Sequence, residues 1–268
     1  MKAIINNTSL NEIKEFAEFI TLDYNSPTPL EEIANSEGIK IIADDYGIDS
    51  FDGITTFEND RFYIHLNTSR GNQISSNRGR FTLAHELGHY FIDSHRIGLE
   101  SGVLTPHPTF LNQNSNARIE KEADYFASCL LMPESVFLKE IHRKRFSFQI
   151  IQHISTIFKV SITAAAIRFS QIGNHPIMVI YASNNLIIWK TSSDDFPYKK
   201  ILLDDNKIPK DTVLGEYFNL KNTDDTNREE QVYAVDWFRY VSEWEMDRIF
   251  YEYCLPHKNT AMSIIWGE

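Results

Sequence analysis

One five-residue run, His85-Glu86-Leu87-Gly88-His89, constrains this chain more than any other feature. It lies in a block whose Phe81, Leu83, Ala84, Leu87 and Phe91 call for a buried helix. Four residues turn a helix by roughly 400°, so both imidazoles leave one face a turn apart. Two nitrogens placed that way can share one Zn²⁺ at about 2.0–2.1 Å each. Glu86, one residue on, can stand beside a metal-bound water without ligating. A fold that buries such a helix must also bring it a third ligand from another element.

The helix expected over residues 117–131 offers one. Its stripe of Ala123, Phe126, Ala127, Leu130 and Leu131 borders Glu120 and Asp124, which are four apart, share a face and can therefore be partly buried. Glu120 can complete a His₂Glu site with a fourth position left for water, as catalytic zinc requires. Asp124 can accept the free N–H of a ligating histidine and fix its tautomer. Glu122 falls on a different face and reads as a solvated carboxylate. His95 is the rival third ligand, ten residues after His85 as in H-E-x-x-H-x-x-G-x-x-H. That pattern wants glycine where this chain has Ile92, so Glu120 is preferred. Cys129, about 900° around the helix from Glu120, reads as a packed residue facing away from the metal.

These residues resemble the ImmA/IrrE family of metallo-endopeptidases. The similarity rests on Arg80-Phe81-Thr82-Leu83-Ala84-His85-Glu86-Leu87-Gly88-His89 and on Glu120-x-Glu122-Ala123-Asp124-x-Phe126-Ala127-x-x-Leu130-Leu131-Met132-Pro133. It covers about residues 10–172. Family members commonly carry Asn where this chain has Asp124, and either side chain can orient an imidazole. The resemblance implies a zinc peptidase-like domain, a helical segment and sometimes a C-terminal sensor-like domain. It also implies a substrate, a helix-turn-helix repressor whose cleavage releases transcription.

The expected fold class is α+β: a zincin-like metallopeptidase domain over residues 1–135, a helical, helix-turn-helix-like extension over 136–172, and a C-terminal sheet-rich α+β domain over 173–268. Gly173-Asn174-His175-Pro176 marks the last boundary. Helices are expected at about Ser9–Leu22, from Pro29 to Gly38 with Thr28 as cap, at about Arg80–Asp93, and in two pieces over 148–172. A loop-like stretch follows Asp93. A strand at Ile39–Ile42 and a hairpin over 53–68 precede the motif; Tyr63 and His65 on its return strand read as surface residues, with lining of a substrate groove along an edge strand as the alternative. Beyond the boundary, strands are expected at Ile177–Ala182, Leu186–Lys190, Val213–Leu220, Gln231–Phe238 and Ala261–Trp266.

Lys+Arg 26 against Asp+Glu 37 gives a net charge of -11, which argues against duplex DNA or an anionic membrane as main partner. The start, Met1 to Asn7, has no apolar signal region, and no apolar run reaches the roughly 18 residues of a membrane span. A cytoplasmic protein is the expectation. In the second helix of 148–172, Arg168 and Gln171 stand among alanines, so packing is preferred to DNA reading. The exposed-type run His142-Arg143-Lys144-Arg145 reads as a solvated face. All four tryptophans, Trp189, Trp237, Trp244 and Trp266, fall in the C-terminal domain, where a GAF-like sensor for a small molecule or single-stranded nucleic acid is one reading and core packing another. Two functions are therefore carried forward. One is a zinc endopeptidase with Glu86 as general base; the other is a non-catalytic zinc-containing sensor or binding protein. A structural zinc site would have no use for Glu86, which favours the enzyme.

Overall fold

The computed structural model describes residues 9–106, 108–110, 118–219 and 226–268. Expectations at Met1–Asn7, Ala117 and Leu220 lie outside the described residues. The chain divides into two compact units, residues 1–137 with 154–161, and residues 138–153 with 162–268.

In the first unit, α1 (Leu10–Thr21) starts on a capping box between Ser9 and Glu12. Helix α2 (Leu30–Ser36) begins differently from expectation. Pro29 occupies the cap position, and the Thr28 hydroxyl donates to the Leu130 carbonyl at 2.8 Å. A three-stranded sheet follows, made of β1 (Lys40–Asp44), β2 (Gly53–Glu58) and β3 (Arg61–Asn67), in the order β1-β3-β2. Asn59 and Asp60 both take positive φ, which suits the tight β2–β3 hairpin. Phe62, Ile64 and Leu66 are buried on one face of β3, as alternation requires. Strand β3 is central, paired to β1 on one side and β2 on the other, so Tyr63 and His65 do not belong to an edge strand. The edge is β2.

Helix α3 (Asn77–Phe91) starts at Ser76, whose hydroxyl accepts from the Gly79 N–H. Where the sequence reading placed loop, α4 (Asp93–Glu100) continues the chain, with His95, Gly98 and Leu99 buried. Helix α5 (Arg118–Leu131) packs against α3, and Gly88 sets how closely. A Cβ there would stand 3.2 Å from the Ala123 Cα and 3.2 Å from the Phe126 ring. Two small residues at the crossing thus let the helix backbones approach and bring Glu120 opposite the two histidines. Helices α6 (Glu134–Ile141), α7 (Phe148–Phe158) and α8 (Ile162–Ile172) complete the helical stretch, with α7 divided between the units. Arg168 is buried in α8, in keeping with a packing role for that helix.

The second unit is built on a five-stranded antiparallel sheet. Strands β4 (Ile177–Ser183) and β5 (Leu186–Ser192) form a hairpin. Next come α9 (Val213–Asn219), β6 (Arg228–Tyr233), α10 (Ala234–Trp237), β7 (Ile249–His257) and β8 (Thr260–Gly267), giving the order β5-β4-β8-β7-β6. Two expectations are corrected here. Val213–Leu220 reads as a strand by composition, yet its described part is helical. The Thr212 hydroxyl accepts from Gly215 N–H, and the buried Glu252 carboxylate accepts from Val213 and Leu214 N–H. These contacts satisfy the donors of a helix start and override the β-branched bias. Similarly, Gln231–Phe238 is a strand only to Tyr233, while β7 has no counterpart in the sequence reading. Trp237 and Trp266 are core residues, whereas Trp244 is exposed. Among the described residues, no single helix is long and apolar enough to cross a membrane.

Candidate metal centre

Helix α3 carries His85, Glu86 and His89 inward, and α5 carries Glu120 against them; all four side chains are buried. His85 Nε2 lies 3.1 Å from His89 Nε2 and 3.4 Å from Glu120 Oε2, and His89 Nε2 lies 3.4 Å from Glu120 Oε1. A tetrahedral ion with bonds of about 2.0–2.1 Å needs ligand atoms about 3.3–3.4 Å apart. Glu120 thus turns one oxygen to each histidine, one ligand atom from each of the three side chains lies within 4.8 Å of the others, and the group can hold a metal ion.

Electrostatics agree with the geometry. Burial opposes charge on His85, yet hydrogen bonds to Asp124 and Glu120 outweigh it and raise the imidazole pKa to about 10. Two carboxylates and a third acid nearby thus call for positive charge at this point, which a cation supplies. Asp124 Oδ1 lies 2.9 Å from His85 Nδ1, and the Asp124 side chain is 54% exposed. Nδ1–H of His85 can donate there, which leaves Nε2 free to ligate.

Glu86 is fully buried beside these three side chains. Its Oε2 accepts from the Thr55 hydroxyl at 2.7 Å. Burial pushes the Glu86 carboxyl above its ordinary value, against the pull of His85 and of hydrogen bonds from Thr55 and Thr109. Such a carboxyl is shifted toward the range where a general base works. The start of β2 presses closely on this group, because a Cβ on Gly53 would stand 2.7 Å from Glu86 Oε1 and 2.6 Å from Thr82 Cγ2. Behind Gly53, the buried Asp52 is gripped by Arg78 at 2.6 Å, Arg70 at 3.2 Å and Asn72 at 2.9 Å, which fixes where the strand begins.

Thr109 bridges to the same point. Its N–H donates to the Gly53 carbonyl at 2.9 Å, its carbonyl accepts from Asp52 N–H at 2.8 Å, and its hydroxyl lies 3.3 Å from His85 Nε2. Sequence reasoning missed Thr55 and Thr109, since neither stands near the motif and only strand pairing brings them to it. It also misplaced Glu122, which is buried and contacts His95. His95 is buried as well, but it reaches the outer side of His89 rather than the face shared by the three donor atoms. Cys129 is buried, as expected for a packed residue.

Residues 34–170 match the IrrE N-terminal-like domain of the M78 peptidases, a stretch of just over half the chain. No curated protein matches the chain by sequence. Among solved structures, a Mycobacterium tuberculosis transcriptional regulator is similar with a TM-score of 0.62 and 15% identity, over 96% of this chain and 76% of that one. That likeness concerns the fold. With the matched stretch enclosing both the His-Glu-x-x-His helix and Glu120, the chain belongs to the M78 peptidase family with the IrrE N-terminal-like domain.

Proposed function

We propose that the protein is a zinc-dependent endopeptidase that cuts a helix-turn-helix repressor, or a similar regulator, to switch on gene expression. The observation that carries this reading is a buried Glu86 set directly beside a buried His85–His89–Glu120 group able to hold a metal ion. Zinc bound there would act as a Lewis acid on the scissile carbonyl and lower the pKa of the attacking water. Glu86 takes a proton from that water and delivers it to the leaving amine. Thr55 holds the Glu86 carboxylate in place, and Asp124 holds His85. The outer edge of β2 beyond Gly53, which Thr109 already pairs, is where an extended substrate segment can add by main-chain hydrogen bonds.

In this reading, residues 1–135 perform the chemistry, 136–172 form a helical, helix-turn-helix-like support, and 173–268 serve as a sensor that controls it in the cytoplasm. The antiparallel sheet with its own aromatic core supports a GAF-like sensor for a small molecule or single-stranded nucleic acid. The test is to incubate the zinc-loaded, full-length protein with the repressor encoded beside it. Cleavage that a chelator stops and added Zn²⁺ restores is expected. An intact repressor under every condition, including lysates from stressed cells, would remove the peptidase reading.

A further inference from the structure

The far side of His89 carries a second buried cluster that the proposed chemistry leaves unused. His89 Nδ1 lies 3.2 Å from His95 Nδ1, His95 Nε2 lies 3.0 Å from Glu122 Oε2, and the Arg118 Nε–H donates to Glu122 Oε1. His89, His95 and Glu122 are all buried, so a polar atom there needs a partner. The hydrogen-bond roles follow from either end. Glu122 as a carboxylate only accepts, so His95 carries its proton on Nε2 and offers Nδ1 as acceptor. His89 then carries its proton on Nδ1 and presents a bare Nε2 to the face it shares with His85 and Glu120.

We infer that His95 and Glu122 are positioning residues for the metal, holding His89 in its ligating tautomer and orientation through a directed chain His89→His95→Glu122. The inference rests on the zinc reading above and adds residues to it. His85 is braced by an exposed carboxylate one step away, whereas His89 is braced by a buried carboxylate two steps away. The second brace is buried along its whole length, so removing it withdraws from the interior the group that accepts the His89 Nδ1–H.

Zinc affinity of the full-length protein, measured by chelator competition, tests this without relying on activity. His95→Phe should weaken zinc binding by about 10–100-fold, the usual effect of losing an outer partner of a ligand. His95→Asn should restore most of it, because its Oδ1 can take the place of Nδ1. Glu122→Gln should fall between, and melting of each zinc-free variant shows whether it is folded. Long-range ¹H–¹⁵N spectra of the zinc-loaded wild type should find His89 protonated at Nδ1 and His95 at Nε2. Wild-type affinity in a folded His95→Phe, or His95 protonated at Nδ1, would overturn the brace. Loss of all zinc binding in both His95 variants would instead make His95 a ligand, which also overturns it. Absence of zinc binding by the wild type would sink the underlying metal reading and not this step alone.

Discussion

At the scale of single residues, the proposed function separates groups that would hold the ion from the group that would move the proton. Glu120 offers a donor atom to both histidines, while Glu86 is turned toward Thr55. Glu120→Ala should therefore abolish stoichiometric zinc, measured by elemental analysis, in a protein that still folds. Zinc retained at one ion per chain would show that another side chain closes the set. Glu86→Gln should keep zinc and fold while repressor cleavage falls about 10²–10⁴-fold, the usual contribution of a general base. Undiminished cleavage would take Glu86 out of the mechanism. These residues were legible in the sequence because helical spacing alone brings His85, Glu86 and His89 together, and Glu120 and Asp124 likewise. Thr55 and Thr109 were not legible, because their approach depends on strand pairing at Gly53. Glu122 was misread for a related reason. Its face looks polar within α5 alone, and only α4, an element the sequence reading took for loop, covers it with His95.

Among elements, the α3–α5 crossing sets the reach between the two motifs. Glycine in a helix interior costs about 0.5–1 kcal/mol relative to alanine, so its presence at position 88 requires a packing reason. The 3.2 Å clearance to Ala123 Cα supplies it, because neither backbone can give way without moving Glu120. Gly88→Ala should thus leave thermal stability of the zinc-free protein within about 1 kcal/mol, the propensity gain offsetting the crowding. Zinc affinity should nonetheless fall, as the donor atoms are spread beyond their present 3.1–3.4 Å. Unchanged affinity in chelator competition would mean that the helices adjust without disturbing the site. The same scale explains where periodicity misled. Val213 and Leu214 look like strand residues, but Glu252, 38 positions away from Leu214, caps their N–H groups and makes a helix start of them. A long-range partner of that kind leaves no local trace.

For the whole molecule, the division into two units makes zinc and Glu252 independent handles. Zinc at the proposed site would bind the first unit and should stabilise it by about 4 kcal/mol when free metal is a thousandfold above Kd. In the second unit, the buried Glu252 carboxylate collects four donors: Val213 and Leu214 N–H, Trp237 Nε1–H at 2.8 Å and the Ser263 hydroxyl. Replacing Glu252 with Gln turns one acceptor into an amide donor facing donors. Each buried donor left unpaired costs about 1–3 kcal/mol, so a loss of about 2–5 kcal/mol is expected. Calorimetry of the full chain should resolve two transitions. Chelation should lower one of them, and Glu252→Gln should lower the other without changing zinc affinity. Because α7 contributes residues to both units, cutting the chain near Ile172 would remove the polypeptide that unit two needs, and a point substitution is the cleaner probe. If the second unit is the sensor proposed above, Glu252→Gln at a temperature between the two transitions should leave a zinc-loaded peptidase whose cleavage no longer responds to the activating signal. A single transition shifted alike by chelator and by Glu252→Gln would show instead that the two units fold as one, and regulation would then have to be sought within the peptidase unit itself.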